Sequence, residues 1–101
     1  MIVHTVFFWM KKSAPRNAAK RTIEDAKKYL KSPTAKTLWA GPPASTPARD
    51  VVNSTYDVGL CVTFEDVEGH DAYQEDPRHQ VFIKRNKKNW LRVEVYDVEA
   101  K

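Results

Sequence analysis

A tyrosine and a histidine flank a break in the stretch AYQEDPRHQVF, residues 72–82. Tyr73 precedes the Asp76-Pro77 step, and His79 follows it. In one unbroken helix, six residues would rotate a side chain by about 240°, so the two residues would lie on different faces. A helix that ends and restarts at Asp76-Pro77 removes this constraint, because Asp is a good N-cap and Pro a good first helical residue. The spacing therefore indicates a candidate acid–base pair.

The chemistry of this pair follows from where the histidine lies in the restarted helix. His79 is the third residue of that helix and shares a face with the apolar Phe82 and Ile83, which predicts that its ring points toward the core. Partial burial and a nearby helix N-terminus both disfavour the imidazolium form. A neutral imidazole is a competent general base, and the phenol of Tyr73 can donate to a developing oxyanion. The alternative is a structural histidine that is hydrogen-bonded to a backbone carbonyl.

A third candidate is His4, which lies in an apolar strand-like segment. It is either a core residue or, together with Tyr73 and His79, part of the lining of a substrate pocket. Its spacing to His70, His79 and Cys61 matches no recognised metal-ligand pattern, and the scattered glycines form no phosphate-binding loop. Cys61 is predicted to be inert packing. The sequence thus predicts neither a metal nor a cofactor.

The composition is that of one small globular domain spanning residues 1–101. Hydrophobic residues make up 42% and charged residues 30%, which is typical of a folded protein with one modest core. No apolar run approaches the roughly 20 residues of a membrane span, and the apolar first nine residues lack the features of a signal peptide. With one cysteine and no export signal, we expect a cytoplasmic protein without a membrane partner.

The net charge of +4 includes a basic run, KRNKK, at residues 84–88. A nucleic-acid site is one interpretation of such a run. The run contains no aromatic residues or glycines, and it falls where a helix is predicted. We therefore expect it to be the solvent face of that helix, and we expect no nucleic-acid partner.

The order of the predicted elements is β-α-β-β-α-β. Residues 2–9 alternate and are apolar on both faces, so we expect both faces of this first strand to be covered. The next predicted element is a helix capped by Ser13, with an apolar stripe of Ala19, Ile23, Ala26 and Leu30. A strand at 36–41, a Pro-rich loop at 42–54 and a strand at 56–65 follow. The chain then continues with a short helix capped by Asp66, the helix that restarts at Asp76-Pro77 and runs to about Lys88, and a strand at 90–99.

This order is the split βαβ, ferredoxin-like pattern of an α+β fold. It places helices on one face of an antiparallel four-stranded sheet and leaves the other face free. Because the first strand is apolar on that free face as well, we expect two sheets to pair face to face. The sequence therefore predicts a homodimeric α/β barrel.

Three segments also resemble a known family. IVHTVFFWMK, YDVGLCVTFEDVEGHDAYQEDPRHQVF and VEVYD are similar to the stress-responsive α/β-barrel, or Dabb, family over nearly the whole chain. The strongest motif is Tyr-x-x-x-Pro-x-His, which is Tyr73, Pro77 and His79 in this sequence. The histidine of the first strand, His4, is a second match.

The resemblance implies a ferredoxin-like dimer with a cavity between sheet and helices. A plant member of the family is a polyketide cyclase that performs an aldol condensation, and its base, phenol and strand-one histidine match His79, Tyr73 and His4. The first hypothesis is therefore a cofactor-independent cyclase or lyase acting on a small apolar carbonyl compound. His79 would be the base, Tyr73 the oxyanion donor and His4 a substrate-binding residue. The loop at 42–54 departs from the family, since it has no matching histidine.

Two other hypotheses belong to different classes. One is a non-catalytic stress-response or small-ligand-binding protein with the same fold. The other is a monooxygenase of the dimeric α/β-barrel class, to which three tryptophans, Trp9, Trp39 and Trp90, give some support. Tryptophans are more often anchors of a core or an interface.

Overall fold

The chain forms a four-stranded antiparallel sheet with its helices on one face, in a computed structural model that describes residues 1–101. The elements are β1 (Ile2–Met10), α1 (Ala18–Tyr29), β2 (Ala35–Gly41), β3 (Val58–Phe64), α2 (Val67–Glu75), α3 (Pro77–Asn86), a single 3₁₀ turn (Lys87–Asn89) and β4 (Trp90–Glu99). The strand order is β2-β3-β1-β4. This confirms the predicted ferredoxin-like βαββαβ fold.

The central strand β1 sets the two faces of the sheet. Every second residue of β1 is buried on the face that carries the helices, and these residues are Ile2, His4, Val6 and Phe8. His4 pairs with Val62 of β3 on one side and with Asp97 of β4 on the other. Directly paired residues of an antiparallel sheet share a face, so Asp97 lies beside His4 under the helices.

The core lies between this inner face and the helices. The alternating residues of β3, Val58, Leu60, Val62 and Phe64, are almost completely buried, as the alternation in the sequence predicts. The helices contribute Ala26, Leu30, Tyr73 and Phe82 to the same cluster. Burying one such large apolar side chain stabilises the fold by roughly 1.5–3 kcal/mol.

Two aspartates cap the helices that flank the predicted break. Asp66 accepts a hydrogen bond from the backbone N–H of Gly69 at 2.8 Å, at the start of α2. Asp76 accepts one from the backbone N–H of Arg78 at 2.9 Å, with Pro77 as the first residue of α3. Both predicted caps are confirmed, and α3 therefore starts immediately after α2 in a new direction.

The predicted start of α1 is wrong. The helix begins at Ala18 with Asn17 as its N-cap, and Ser13 lies outside it. Two turns occupy the intervening chain, closed by backbone hydrogen bonds from Ala14 to Lys11 and from Ala18 to Pro15, each 3.0 Å long. The helix therefore begins after the turn-forming segment Ser13-Ala14-Pro15, and Ser13 does not cap it.

The buried side of α1 is also more polar than its sequence pattern predicts. Thr22 is completely buried and Asp25 is only 5% exposed, whereas Ala19 and Ile23 of the predicted stripe are half-buried. The reason is a set of hydrogen bonds between α1, α3 and β4, here named the α1–α3 network. Its members are Thr22, Asp25, Arg85, Asn86 and Trp90.

The network connects its members in a chain around Asp25. Arg85 Nε and Asn86 Nδ2 donate to Asp25 Oδ2 at 2.8 and 3.0 Å. The hydroxyl of Thr22 donates to Asn86 Oδ1 at 3.3 Å and accepts from Trp90 Nε1 at 3.3 Å.

The basic run at 84–88 is predicted to be a solvent face, and this holds for its lysines only. Asn86 within the run is fully buried.

The outer face of the sheet carries no helix. Its central row on β1, Val3, Thr5, Phe7 and Trp9, is half-buried, and Trp39, Tyr96 and Val98 nearby are more than half exposed. The loop at 42–57 returns along one end of this face, where Thr55 accepts from Trp9 Nε1 at 3.0 Å. An uncovered apolar face is what the sequence predicts. None of the helices has the length and apolar character needed to cross a membrane.

Candidate active site at the junction of sheet and helices

Tyr73 and His79 converge. Their ring centroids are 5.0 Å apart and the rings are nearly perpendicular, which confirms the predicted effect of the break between α2 and α3. The ring of His4 lies 5.9 Å from that of Tyr73 and 5.0 Å from that of His70. We name this group, completed by Asp97 beside His4, the His–Tyr cluster.

The phenol of Tyr73 lies at the centre of the cluster. The residue is 1% exposed and packs against the ring of Phe64 at 5.0 Å and that of His4 at 5.9 Å. Burial raises the pKa of Tyr73 well above the ordinary value of a phenol, because a phenolate would lose its hydration. Tyr73 therefore stays protonated near neutral pH and is available as a hydrogen-bond donor.

The imidazole of His79 is held in its neutral form. Burial lowers the pKa of His79, the nearby His4 lowers it further, and the carboxylate of Asp76 only partly opposes these effects. Its Nδ1 atom is buried and has no hydrogen-bond partner. The alternative of a structural histidine tied to a backbone carbonyl therefore has no support at this nitrogen. In the tautomer with the proton on Nε2, Nδ1 carries a free lone pair, as a general base requires.

His4 is oriented by a residue that the sequence analysis missed. His4 Nδ1 and Asp97 Oδ1 are 2.5 Å apart, and His4 is 4% exposed while the Asp97 side chain is 45% exposed. The bond fixes the ring and its tautomer, since the carboxylate accepts the Nδ1 proton. The alternation of β4 contained the signal: Val93, Val95 and Asp97 lie two residues apart and share one face.

His70 is a second member that the sequence analysis left outside the site. It precedes Tyr73 by three residues in α2, so the two side chains lie on the same side of the helix. Its Nδ1 lies 3.1 Å from Asp71 Oδ1. His4, His70 and Asp97 each bring a metal-ligand type of atom within 4.8 Å of the others. Cys61 pairs with Thr5 on the outer face of the sheet, away from this group.

The cluster is closely packed within one chain. None of the five main surface depressions is lined by His4, Tyr73 or His79. The depression of about 610 Å³ lies beside it, between the start of β2 and α2, and is lined by residues that include Thr34, Glu68 and Gly69. The main depressions of the surface therefore do not reach the Tyr73–His79 pair.

Residues 2–100 match the family model described as the Stress responsive A/B Barrel Domain, or Dabb. The chain belongs to the Dabb family. This confirms the family that the motifs around His4, Tyr73 and His79 indicate. The closer resemblance to a plant polyketide cyclase of the family stays a prediction.

Solved structures similar to this Dabb chain share its fold at low sequence identity. A Dabb family protein with a ferredoxin-like fold from Mesorhizobium loti is 24% identical with a TM-score of 0.76, and the match covers 99% of this chain and 96% of that one. A dimeric ferredoxin-like protein of unknown function from Thermobifida fusca is 16% identical with a TM-score of 0.82, covering 98% and 90%.

A hydroxynitrile lyase from Passiflora edulis is also similar to the Dabb chain. It is 18% identical with a TM-score of 0.77, and the match covers 99% of this chain and 93% of the lyase. No curated protein sequence matches the chain. At these identities the similarity shows the fold alone, so the function has to be argued from the chain's own residues.

Proposed function

We propose that this Dabb protein is a cofactor-independent enzyme of the cyclase or lyase type, in which His79 removes a proton next to a carbonyl group. The observation that carries this proposal is the buried, unpartnered Nδ1 of His79 beside the phenol of Tyr73. An unsatisfied buried nitrogen costs about 1–3 kcal/mol, and native proteins retain few such atoms without a functional reason.

The two side chains suit the two halves of the reaction. The neutral imidazole of His79 takes the proton from the carbon next to the carbonyl, and the electron pair of the broken C–H bond moves onto the carbonyl oxygen. The protonated phenol of Tyr73 donates a hydrogen bond to that developing oxyanion. In a cyclase the enolate carbon then attacks a second carbonyl, which forms a C–C bond and an alkoxide. In a lyase the steps run in reverse: the neutral His79 takes the proton of a β-hydroxyl group, the C–C bond breaks, and the products are a carbonyl compound and an enolate. The proton on His79 neutralises the new alkoxide or returns to carbon.

His4 supports this chemistry without exchanging a proton with the substrate. Its bond to Asp97 fixes the ring against Tyr73, so the phenol is held in one place. We assign His4 to the binding surface for a small apolar substrate that carries the carbonyl group. The resemblance to a plant polyketide cyclase and the shared fold of a hydroxynitrile lyase both support a reaction of this class.

The outer face of the sheet fits a homodimer. We propose that two chains pair through this face. In a single chain, Trp39 and Tyr96 on this face are 64% and 56% exposed, and pairing would cover them. Sedimentation should show a dimer, and Thr5→Arg in the middle of the face should yield a folded monomer because the interface would then contain two unpaired charges. Glu24→Arg on the exposed side of α1 is the matched control and should stay dimeric. A monomeric wild type would contradict the proposal.

A second candidate function is a non-catalytic stress-response or small-ligand-binding protein, in which the His–Tyr cluster performs no reaction. The close packing of the His–Tyr cluster favours it, since no main surface depression reaches His79. The monooxygenase hypothesis gains no such support. Trp90 packs on Phe8 in the core, Trp9 lies under the guanidinium of Arg92, and Trp39 lies on the outer face.

Hydrogen–deuterium exchange next to a carbonyl tests the proposal before the substrate is known. A panel of 1,3-diketones, polyketide-type thioesters and β-hydroxy ketones is incubated with the protein in D₂O, and exchange or cleavage is followed by NMR. For any compound that reacts, His79→Gln should slow the reaction by about 10²–10⁴-fold, and Tyr73→Phe by a smaller factor. Gln80→Ala, an exposed neighbour on α3, is the control. Equal rates in the wild type and His79→Gln would exclude His79 as the base.

A further inference from the structure

We propose that His4, His70 and Asp97 form a binding site for one divalent transition-metal ion, with Zn²⁺ the best match to the donors. The three residues come from β1, α2 and β4, and their donor atoms all lie within 4.8 Å of one another. Two imidazoles and one carboxylate are a donor set that zinc accepts, with a fourth position left for water. Because the donors belong to three separate elements, no local spacing in the sequence could indicate the site.

The distances are close to those that a bound ion needs. Zinc–nitrogen and zinc–oxygen bonds of about 2.0–2.2 Å place two ligand atoms of a tetrahedral site about 3.3–3.5 Å apart. The widest separation in the group, at most 4.8 Å, therefore has to contract by about 1.5 Å or less. The closest pair of donors has to move apart. His4 Nδ1 and Asp97 Oδ1 are 2.5 Å from each other, and they have to separate by about 1 Å because the ion replaces the proton between them.

Asp97 is the residue that can make this movement. It lies on β4, the edge strand of the sheet, and its side chain is 45% exposed, so it is less constrained than the buried His4. The same exposure gives a hydrated ion a route to the site from solvent. Replacement of a shared proton also means that binding should release a proton and weaken in acid.

The second imidazole already has one ring nitrogen held by a carboxylate. His70 Nδ1 lies 3.1 Å from Asp71 Oδ1, which leaves Nε2 as the nitrogen free to bind an ion. A histidine ligand whose other nitrogen is held by a carboxylate is the usual arrangement around protein-bound zinc. His4 and His70 have ring centroids 5.0 Å apart, so both imidazoles reach the same small volume.

The metal site shares His4 with the proposed substrate-binding surface but has no residue in common with the proposed acid–base pair. Neither Tyr73 nor His79 supplies a ligand, so a failure of metal binding would leave the proposed proton abstraction untouched, and the reverse also holds. An ion at His4 would nevertheless break the bond between His4 and Asp97. We therefore expect the zinc-bound protein to hold Tyr73 in a different environment from the metal-free protein.

Calorimetric titration of metal-free protein with ZnCl₂ tests the site without any substrate. We expect one ion per chain, a raised unfolding temperature, and proton release measured by comparing two buffers of different ionisation enthalpy. His70→Gln and Asp97→Asn should each weaken binding by at least about tenfold, since even the loss of an outer hydrogen bond to a zinc ligand costs about 10–100-fold. His70 and Asp97 are partly exposed, so both variants should fold, and thermal unfolding checks this.

His79→Gln is the matched control, because it removes the one other histidine of the chain without touching the proposed ligands. Its affinity for zinc should equal that of the wild type. Zinc-soaked crystals should show an anomalous peak between His4, His70 and Asp97. The proposal is overturned if binding does not saturate, if His70→Gln binds zinc as tightly as the wild type, or if the peak lies elsewhere.

Discussion

Two groups of buried polar side chains lie on the helix-covered side of the sheet, and they differ in whether their polar atoms have hydrogen-bond partners. In the α1–α3 network, the carboxylate of Asp25 accepts from Arg85 and Asn86, and Thr22 bonds both Asn86 and Trp90. In the His–Tyr cluster, His79 Nδ1 is buried without any partner. The network satisfies its members with protein groups, whereas the cluster keeps a nitrogen unsatisfied.

The pKa shifts show the same contrast. Burial raises the pKa of the Asp25 carboxyl, but hydrogen bonds from Arg85 and Asn86 outweigh it, so the net pKa is lowered and the group stays charged. In the cluster, burial dominates: it lowers the pKa of His79 and raises that of Tyr73, so both groups are neutral at physiological pH. Burial therefore leaves a fixed charge where hydrogen bonds and counter-charges surround the group, and neutral side chains where they do not.

Removing the central carboxylate of the network should have the largest effect on stability. Asp25→Ala leaves Arg85 without its acceptor and removes one of the two acceptors of the buried Asn86 amide, which keeps its bond to the Phe82 carbonyl. We expect a loss of about 3 kcal/mol in the free energy of unfolding. Urea denaturation measures it. Glu24→Ala, the exposed neighbour in α1, is the control and should change stability by less than about 0.5 kcal/mol. A similar small change for Asp25→Ala would show that the network does not stabilise the fold.

A smaller loss should follow from removing one hydroxyl of the network. Thr22→Val keeps the shape of the side chain but takes a donor from Asn86 and an acceptor from Trp90. Both bonds are 3.3 Å long, so we place the cost near the low end for buried polar groups, at about 1 kcal/mol. The indole fluorescence of Trp90 should change as well. An unchanged stability would mean that these two long bonds contribute nothing.

The cluster should respond in the opposite direction. His79→Leu replaces the unsatisfied nitrogen by apolar atoms of similar volume, so the variant should be as stable as the wild type or more stable by up to about 1 kcal/mol. The same variant should lose any activity that depends on the base. Gln80→Leu on the exposed side of α3 controls for the better helix propensity of leucine. A clear destabilisation by His79→Leu alone would assign His79 a structural role.

The sequence predicts those features of the two groups that depend on neighbouring residues in the chain. Asp76-Pro77 favours a helix restart through the cap and the first helical residue alone, and this restart permits the convergence of Tyr73 and His79 that the structure shows. Asn86 is different, because it lies in a basic run whose pattern is typical of a solvent face. Its burial depends on how α3 packs on α1, which no single segment encodes.

The partners of His4 depend on tertiary structure in the same way. Asp97 reaches His4 only through the register of β4 on β1, and a shift by one residue would turn its side chain to the other face. His70 reaches it only through the packing of α2 on the sheet. The proposed site therefore combines a motif that is visible in the sequence with neighbours that only the fold provides. The cytoplasmic location stays a prediction.

The pH dependence of stability gives the finest test of the contrast. The pKa of His79 is lowered from its ordinary 6.5, so below that value the unfolded chain binds a proton that the folded chain resists. The folded state should therefore lose stability as the pH falls from 6.5 to the folded pKa, and lose no more from this residue below it. His79→Leu has no imidazole to protonate and does not show this loss. The stability of the variant relative to the wild type should therefore rise as the pH falls across that interval. Urea denaturation of both proteins through the interval measures the difference.

The network makes this measurement interpretable. The pKa of Asp25 lies below its ordinary 3.8, so its contribution to stability is present above that value and is lost only as the pH falls through the folded pKa. Near pH 6 the network is therefore intact in both proteins, and its effect cancels in the comparison. A constant difference between the wild type and His79→Leu through that region would show that the folded and unfolded chains protonate His79 equally. The burial on which the proposed role of His79 as a base depends would then be absent in solution.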